Sequence, residues 1–534
     1  MFLKKILKTN TFPVIIIAIV FILAIFIIPH GEFAVNDDWF YYSAVKEALV
    51  GNWQPNILVD PSLIWQTFLG YLVSLFFGFS FTALKYLTLA LSFLALIFFY
   101  YIILEFSNKR IALFSTLLFF ACPWFMSLSF SFMTDIPALS FSIISLYFLL
   151  KGWHEKKPYK TWLGFLFLGA AIFIRQSYVI VLLAYLLSAI FDIYQQEDKR
   201  KYIKRFIIHF VIPLLLLFKI YISIKANGLW PETFLGRHQV DGILLNFSLW
   251  PKSIFLAFSY LAILCSPLLI IYLSKKKKYF YGTFTITLFL ILWFFGFSFP
   301  GNSSGNIINI YSFGANGKNL LLDGTPPLMF SQVAWLLIGL CSAYFVYYFL
   351  ALWRSGLKEK VRNEETSRKL FLFFITSGFI FLFINFIGFD RYLLPALAIS
   401  LIMFSGSLKE LRPKFINWII LFVVLVFSII GVRDYYLVAD SKWKIANNLL
   451  DNQVSVKNID GGAEWSLFNE YKRKNPEILP FYKPEWPWYI TLLIPDNERI
   501  VIISYDSKKS GYKLISQNCP KTILNQTCLY VWHK

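Results

Sequence analysis

The chain has 534 residues, of which 58% are hydrophobic and 20% aromatic, and only 15% are charged, with a mean hydropathy of +0.61. That composition excludes an ordinary soluble globule, whose surface needs more polar side chains than this. The formal charge of +20 invites a nucleic-acid reading. However, Lys and Arg cluster in short loops between apolar runs, where they set membrane orientation, and no nucleic-acid partner is expected.

In chain order, the first apolar run is FPVIIIAIVFILAIFIIPH (12–30). No small-residue cleavage site follows it, and many more apolar runs do, so it reads as a first span rather than a removed signal. Runs of this kind recur to residue 432 and predict a polytopic helical membrane protein. Basic loops at 3–8, 107–110, 151–160, 195–205, 275–278, 354–369 and 408–414 hold about half of all Lys and Arg. The positive-inside rule puts these loops in the cytoplasm. The loops at 30–60, 130–134, 225–250, 299–327 and 389–391 are poor in positive charge and belong outside.

Parity then constrains the count. One of the two runs between the outer loop 30–60 and the inner loop 107–110 cannot cross. The shorter run at 63–79 follows Pro61 and is broken by Gly70 and Gly78, so it is expected in the membrane plane. By the same logic, 161–194 splits into two short spans with IRQS (174–177) at an outer turn. The total is about thirteen crossings. The expected organisation is a transmembrane domain over 1–432, with a first outer loop 30–60 and in-plane helices at about 38–50 and 62–78. A small extracytoplasmic α/β domain is expected over 433–534, with a helical stretch at 441–452 and strand-like runs RIVIISYD and TCLYVWH.

Five cysteines add little. Cys122, Cys265 and Cys341 lie in or beside apolar runs and read as core. Cys519 and Cys528 in the tail are compatible with a disulfide, if the tail lies outside the cytoplasm, or with two free thiols.

The outer segments carry the candidate chemistry. In AVNDDWFYYSAVKEALVGNW (34–53), Asp37 and Asp38 sit where an apolar run ends and an amphipathic stretch begins. A helix cap explains one acid. A general base at the water–lipid boundary is an equal and compatible reading; such a group is worth roughly 10²–10⁴ in rate. Asp135, in MTDIP, opens a later span; it reads either as a cap or as a functional acid at membrane depth. On the same side lie Arg175 in IRQS and Arg391 in FDRYLLP. Their planar forks suit phosphate; the alternative is local pairing, of Arg391 with Asp390, or snorkelling. Acids and arginines together at an outer boundary fit a reaction on a lipid-linked phosphate. No His/Asp/Glu spacing indicates a metal.

These residues, in this order, resemble the membrane-embedded GT-C glycosyltransferases. Within them the resemblance is to the protein O-mannosyltransferase and lipid A aminoarabinose transferase branch (family 39-type), over roughly residues 10–430; GGAEW (461–465) also looks like that family's outer domain. The resemblance implies a polyprenyl-phosphate sugar donor and an acceptor hydroxyl on lipid, glycan or protein, in the plasma (inner) membrane. It implies Asp37 or Asp38 as base, Asp135 as organiser, and Arg175 and Arg391 as binders of the lipid phosphate. It fixes no cofactor, and leaves room for a divalent metal. Where many relatives have Lys-Pro-Pro, this chain has VDPSLIW, with Asp60 and Pro61, so the usual cation is missing. The competing readings are a lipid-linked glycan transporter or flippase and a polysaccharide polymerase of different fold.

Overall fold

The computed structural model describes residues 11–53, 63–195, 199–228, 250–276, 282–294, 299–301, 306–358, 364–385, 389–471 and 487–534. The chain is an α-helical membrane protein with a small C-terminal sheet of four strands. Among the described residues, eight helices are long and apolar enough to cross a membrane, or nine if one bent pair counts as a single span. About thirteen crossings were expected from charge alternation, and length explains part of the gap. Thr11–Ile27 and Thr283–Trp293 are apolar but short, below the roughly 20 residues that a straight crossing takes; Ile64–Phe77 is short too, but was not counted among the thirteen.

The bent pair is Lys109–Phe120 and Pro123–Ser129, at 63°. Pro123 lacks an N–H and cannot continue the first helix, but it suits the start of the second. The expected break near IRQS is present: Pro158–Ile172 ends, the 3-10 turn Gln176–Tyr178 intervenes, and Val179–Gln195 follows. The two stretches expected in the first outer loop form the helices Asp38–Leu49 and Ile64–Phe77. They pack closely because Gly70 offers no side chain. A Cβ there would stand 2.6 Å from Val45 Cγ2.

The core is organised around Leu394–Ser407, a short helix buried almost throughout. It packs on Phe81–Phe106, Lys109–Phe120, Gln332–Lys358 and Glu364–Asn385. Its Ala396, Ala398, Ser400 and Ser405 let neighbouring helices approach, the usual basis of helix contact in lipid, and Ser405 hydrogen-bonds Ser115 at 2.9 Å. This central helix carries the FDRYLLP turn at its start, which gives Arg391 a rigid base.

The helix Phe415–Asp451 runs without a break across residue 432. At about 1.5 Å per residue it is roughly 55 Å long, well beyond a hydrocarbon core. Its last turns pack on the GGAEW segment, where Asn447 accepts from Trp465 Nε1 at 2.7 Å; the C-terminal sheet has the order β1 (Ile459–Asp460), β2 (Val501–Ser504), β4 (Leu529–His533), β3 (Lys513–Asn518). β1 pairs parallel with β2, and the other pairings are antiparallel. A disulfide joins Cys519 to Cys528 beside the β3–β4 pair. Of the other cysteines, Cys122 and Cys265 are buried but Cys341 is exposed, which corrects its reading as core.

Candidate active site

The first long loop leaves the helix Thr11–Ile27 and turns into the helix Asp38–Leu49. Asn36 makes the turn in the left-handed region, φ 53°, where Asn is better tolerated than most residues. The two adjacent acids then go separate ways. Asp37 occupies the N-cap position, but its side chain caps nothing. Its carboxylate instead receives Arg391 Nη2 at 3.2 Å and remains 53% exposed.

Asp38 is 0% exposed. Its Oδ1 accepts from the Val35 amide at 2.6 Å and its Oδ2 from the Phe132 amide at 3.4 Å. Burial pushes the Asp38 carboxyl well above its usual range, against the pull of Lys85 and of those two amides. Asp38 therefore ties the first loop to the 130–134 loop that leads to Asp135.

Asp135 opens the helix Asp135–Glu155. Its Oδ1 accepts from Arg175 Nη1, while its Oδ2 is buried with no partner among the described residues. Arg175 leaves the IRQS break directly towards it, and its guanidinium lies 5.0 Å from the Tyr392 ring. Arg391 does not pair with Asp390, its sequence neighbour. The Asp390 carboxylate faces the other way and accepts from the amides of Ile307 (2.8 Å) and Ile308 (2.7 Å) and from Trp124 Nε1 (2.8 Å). Burial pushes its carboxyl up to about 6 in spite of these donors. With Asp390 committed to the 306–308 segment, Arg391 is free to reach Asp37.

The Arg391 side chain is 10% exposed. Its Nε and Nη1 are buried and have no partner among the described residues. Unspent buried donors carry a desolvation penalty, so they mark a place shaped for something else. Burial alone would favour a neutral guanidine, but Asp135 and Asp37 override it and hold Arg391 firmly charged. Tyr41, one helical turn after Asp37, lies within reach of all four charges. Burial and Asp37 raise its phenol, while Arg391 and Arg175 pull the other way. Asp37, Asp135, Arg175 and Arg391 thus converge, and Asp38 lies behind them.

Some of the surrounding residues gave no signal as site residues. Lys85 stands inside an apolar run, and the Lys442–Glu464 ion pair joins residues of the C-terminal part at 2.5 Å. Glu464 of GGAEW also accepts from the Asn36 amide at 3.3 Å, linking that motif to the first loop. Among the described residues, no group of three His, Cys, Asp or Glu side chains is placed to hold a metal ion. The VDPSLIW departure at Asp60 and Pro61 lies outside the described residues.

Residues 63–222 match the family model described as dolichyl-phosphate-mannose-protein mannosyltransferase. This bears out the resemblance over that stretch, which contains Asp135 and Arg175; Asp37 and Arg391 lie outside it. No curated protein matches the chain. Among solved structures it is similar to ArnT from Cupriavidus metallidurans bound to undecaprenyl phosphate, at 10% identity, over 83% of this chain and 72% of that one, with TM-score 0.46. It is also similar to the oligosaccharyltransferase AglB from Archaeoglobus fulgidus in complex with an inhibitory peptide and a dolichol-phosphate. There the identity is 12% and the TM-score 0.45, over 89% of this chain and 61% of that one.

Proposed function

We propose that this protein is a membrane glycosyltransferase that moves a sugar from a polyprenyl-phosphate carrier to an acceptor hydroxyl on the extracytoplasmic face. The family match supports the reaction class, and its description names a dolichyl-phosphate sugar. The arrangement of loop charges and the Cys519–Cys528 disulfide support the outer location. The observation that carries the reading is the pairing of a half-exposed carboxylate, Asp37, with a buried guanidinium that keeps two donors unspent.

In this mechanism the acceptor oxygen attacks the anomeric carbon as its proton passes to Asp37. The bond from that carbon to the phosphate oxygen breaks, and the electron pair leaves with the polyprenyl phosphate. Attack and departure occur on opposite faces, so the configuration inverts. Arg391 meets the charge growing on the leaving phosphate with a donor that Asp37 does not use, a preorganised electrostatic effect. Arg175 holds Asp135, which orients the donor or acceptor through its remaining oxygen. Asp38 shapes the loop rather than taking the proton. Phosphate leaves readily, so the mechanism calls for no strong general acid.

The test is mass spectrometry of lipid-linked sugars and surface glycans in cells lacking the gene. One polyprenyl-phosphate sugar should accumulate while one glycan, lipid or protein modification disappears. Unchanged glycans with unchanged carrier pools would overturn the proposal.

A further inference from the structure

Lys85 lies in the second turn of the span Phe81–Phe106 and is fully buried. An uncompensated ammonium in that position is strongly disfavoured, so its partners reveal what it does. An ammonium has three donors, and here each has a target. Nζ donates to the Gly31 carbonyl at 3.0 Å and to the Phe33 carbonyl at 2.6 Å, and it stands 3.6 Å from the centre of the Phe33 ring. Asp38, Glu32 and Asp440 are the carboxylates whose charge it feels, Asp38 most strongly.

The rest of the loop is anchored in the same manner. Asp38 accepts from the Val35 amide and Glu464 from the Asn36 amide. Buried charged groups thus hold the backbone at Gly31, Phe33, Val35 and Asn36, immediately before Asp37. Glu32 holds the other side by accepting from the Phe81 and Thr82 amides at 2.9 and 3.0 Å, fixing the loop to the helix that carries Lys85. Asp37 alone in this stretch directs a carboxylate into the open side of the site.

We propose that Lys85 is a positioning residue for sugar transfer: it holds the Gly31 and Phe33 carbonyls and balances Asp38, and so fixes the backbone from which Asp37 reaches the acceptor. This inference rests on the glycosyl-transfer reading above. Lys85 touches neither the donor nor the acceptor. Its loss therefore lowers the rate of the chemical step and leaves donor affinity in place.

The experiment compares K85M, K85R and the double variant K85M/D38N with wild type and D37N, in membranes with equal amounts of protein, using a polyprenyl-phosphate sugar of the accumulated type. K85M should lower kcat on the order of 10²-fold, the scale of an ångström-sized misplacement, with donor KM within about twofold of wild type. K85R keeps the charge and should recover part of kcat. K85M/D38N removes both buried ionisable groups, so that neither is left without the other. It should be no slower than K85M, because the two act as a unit. If K85M fails to accumulate, the double variant gives the same reading. Wild-type kcat in K85M or in the double variant, with D37N inactive, would overturn the positioning role alone. Full activity in D37N would instead remove the reading on which it rests.

Discussion

At the residue scale, the site depends on adjacent charges facing opposite ways. Asp37 and Asp38 are neighbours in sequence, yet one is half-exposed against Arg391 and the other is sealed under two backbone amides. Asp390 and Arg391 divide in the same manner, the acid towards Trp124 and the 306–308 segment and the arginine towards Asp37. Replacing Arg391 by Lys keeps a charge but loses the planar fork. R391K should lower kcat for transfer by about 10²-fold, the scale seen for one lost donor to a developing oxyanion. Steady-state assays with a lipid-linked sugar check this, and an unchanged kcat would assign the leaving phosphate to another group. Asp37, Asp135, Arg175 and Arg391 could be singled out in the sequence because each stands at the end of an apolar run expected on one side of the membrane, and the structure brings the four together. Which acid of the pair faces the site was not legible, since local sequence does not determine how a loop is pinned. Lys85 was hidden because one lysine near the start of a long apolar run reads as snorkelling.

At the element scale, the short helices and the outer-domain turn do most of the positioning. The span-like helices followed from hydropathy and the break at IRQS from charge, whereas the bend at Pro123 emerged only in the structure. Strand β3 gave no signal because KLISQN is exposed throughout and has no apolar face to alternate. The loops expected at 225–250 and 275–278 lie mainly or partly outside the described residues. GGAEW has a clear physical reason for its second glycine. Gly462 has φ +88°, and a Cβ there would stand 2.7 Å from the Leu321 carbonyl oxygen. With ψ 162° as well, Gly462 sits in a region essentially restricted to glycine, so G462A should cost about 1–3 kcal/mol from the backbone alone, with the collision added. It should also shift Ala463, whose amide donates to that same carbonyl at 2.8 Å, and with it Glu464. A lower melting temperature in detergent together with reduced transfer is expected; a variant as stable and active as wild type would show that the turn tolerates a side chain.

At the scale of the whole molecule, the account requires the first loop and the C-terminal sheet to share one side of the membrane, with the basic loops on the other. Contacts from Glu464 to Asn36 and from Arg499 to Asp323 and Asp460 tie these outer parts together. Single cysteines at exposed Asn52 and Arg110, in a background with Cys341 replaced by serine, report the sides directly. In intact cells a membrane-impermeant maleimide should label N52C, and R110C only after permeabilisation. Labelling of both from the same side would end the topology. The central claim is that Asp37 accepts the proton of the attacking hydroxyl, and the most direct measurement of it is single-turnover transfer by D37N with donor bound at saturation. The rate should fall roughly 10²–10⁴-fold while donor binding persists. A D37N rate equal to wild type would contradict it.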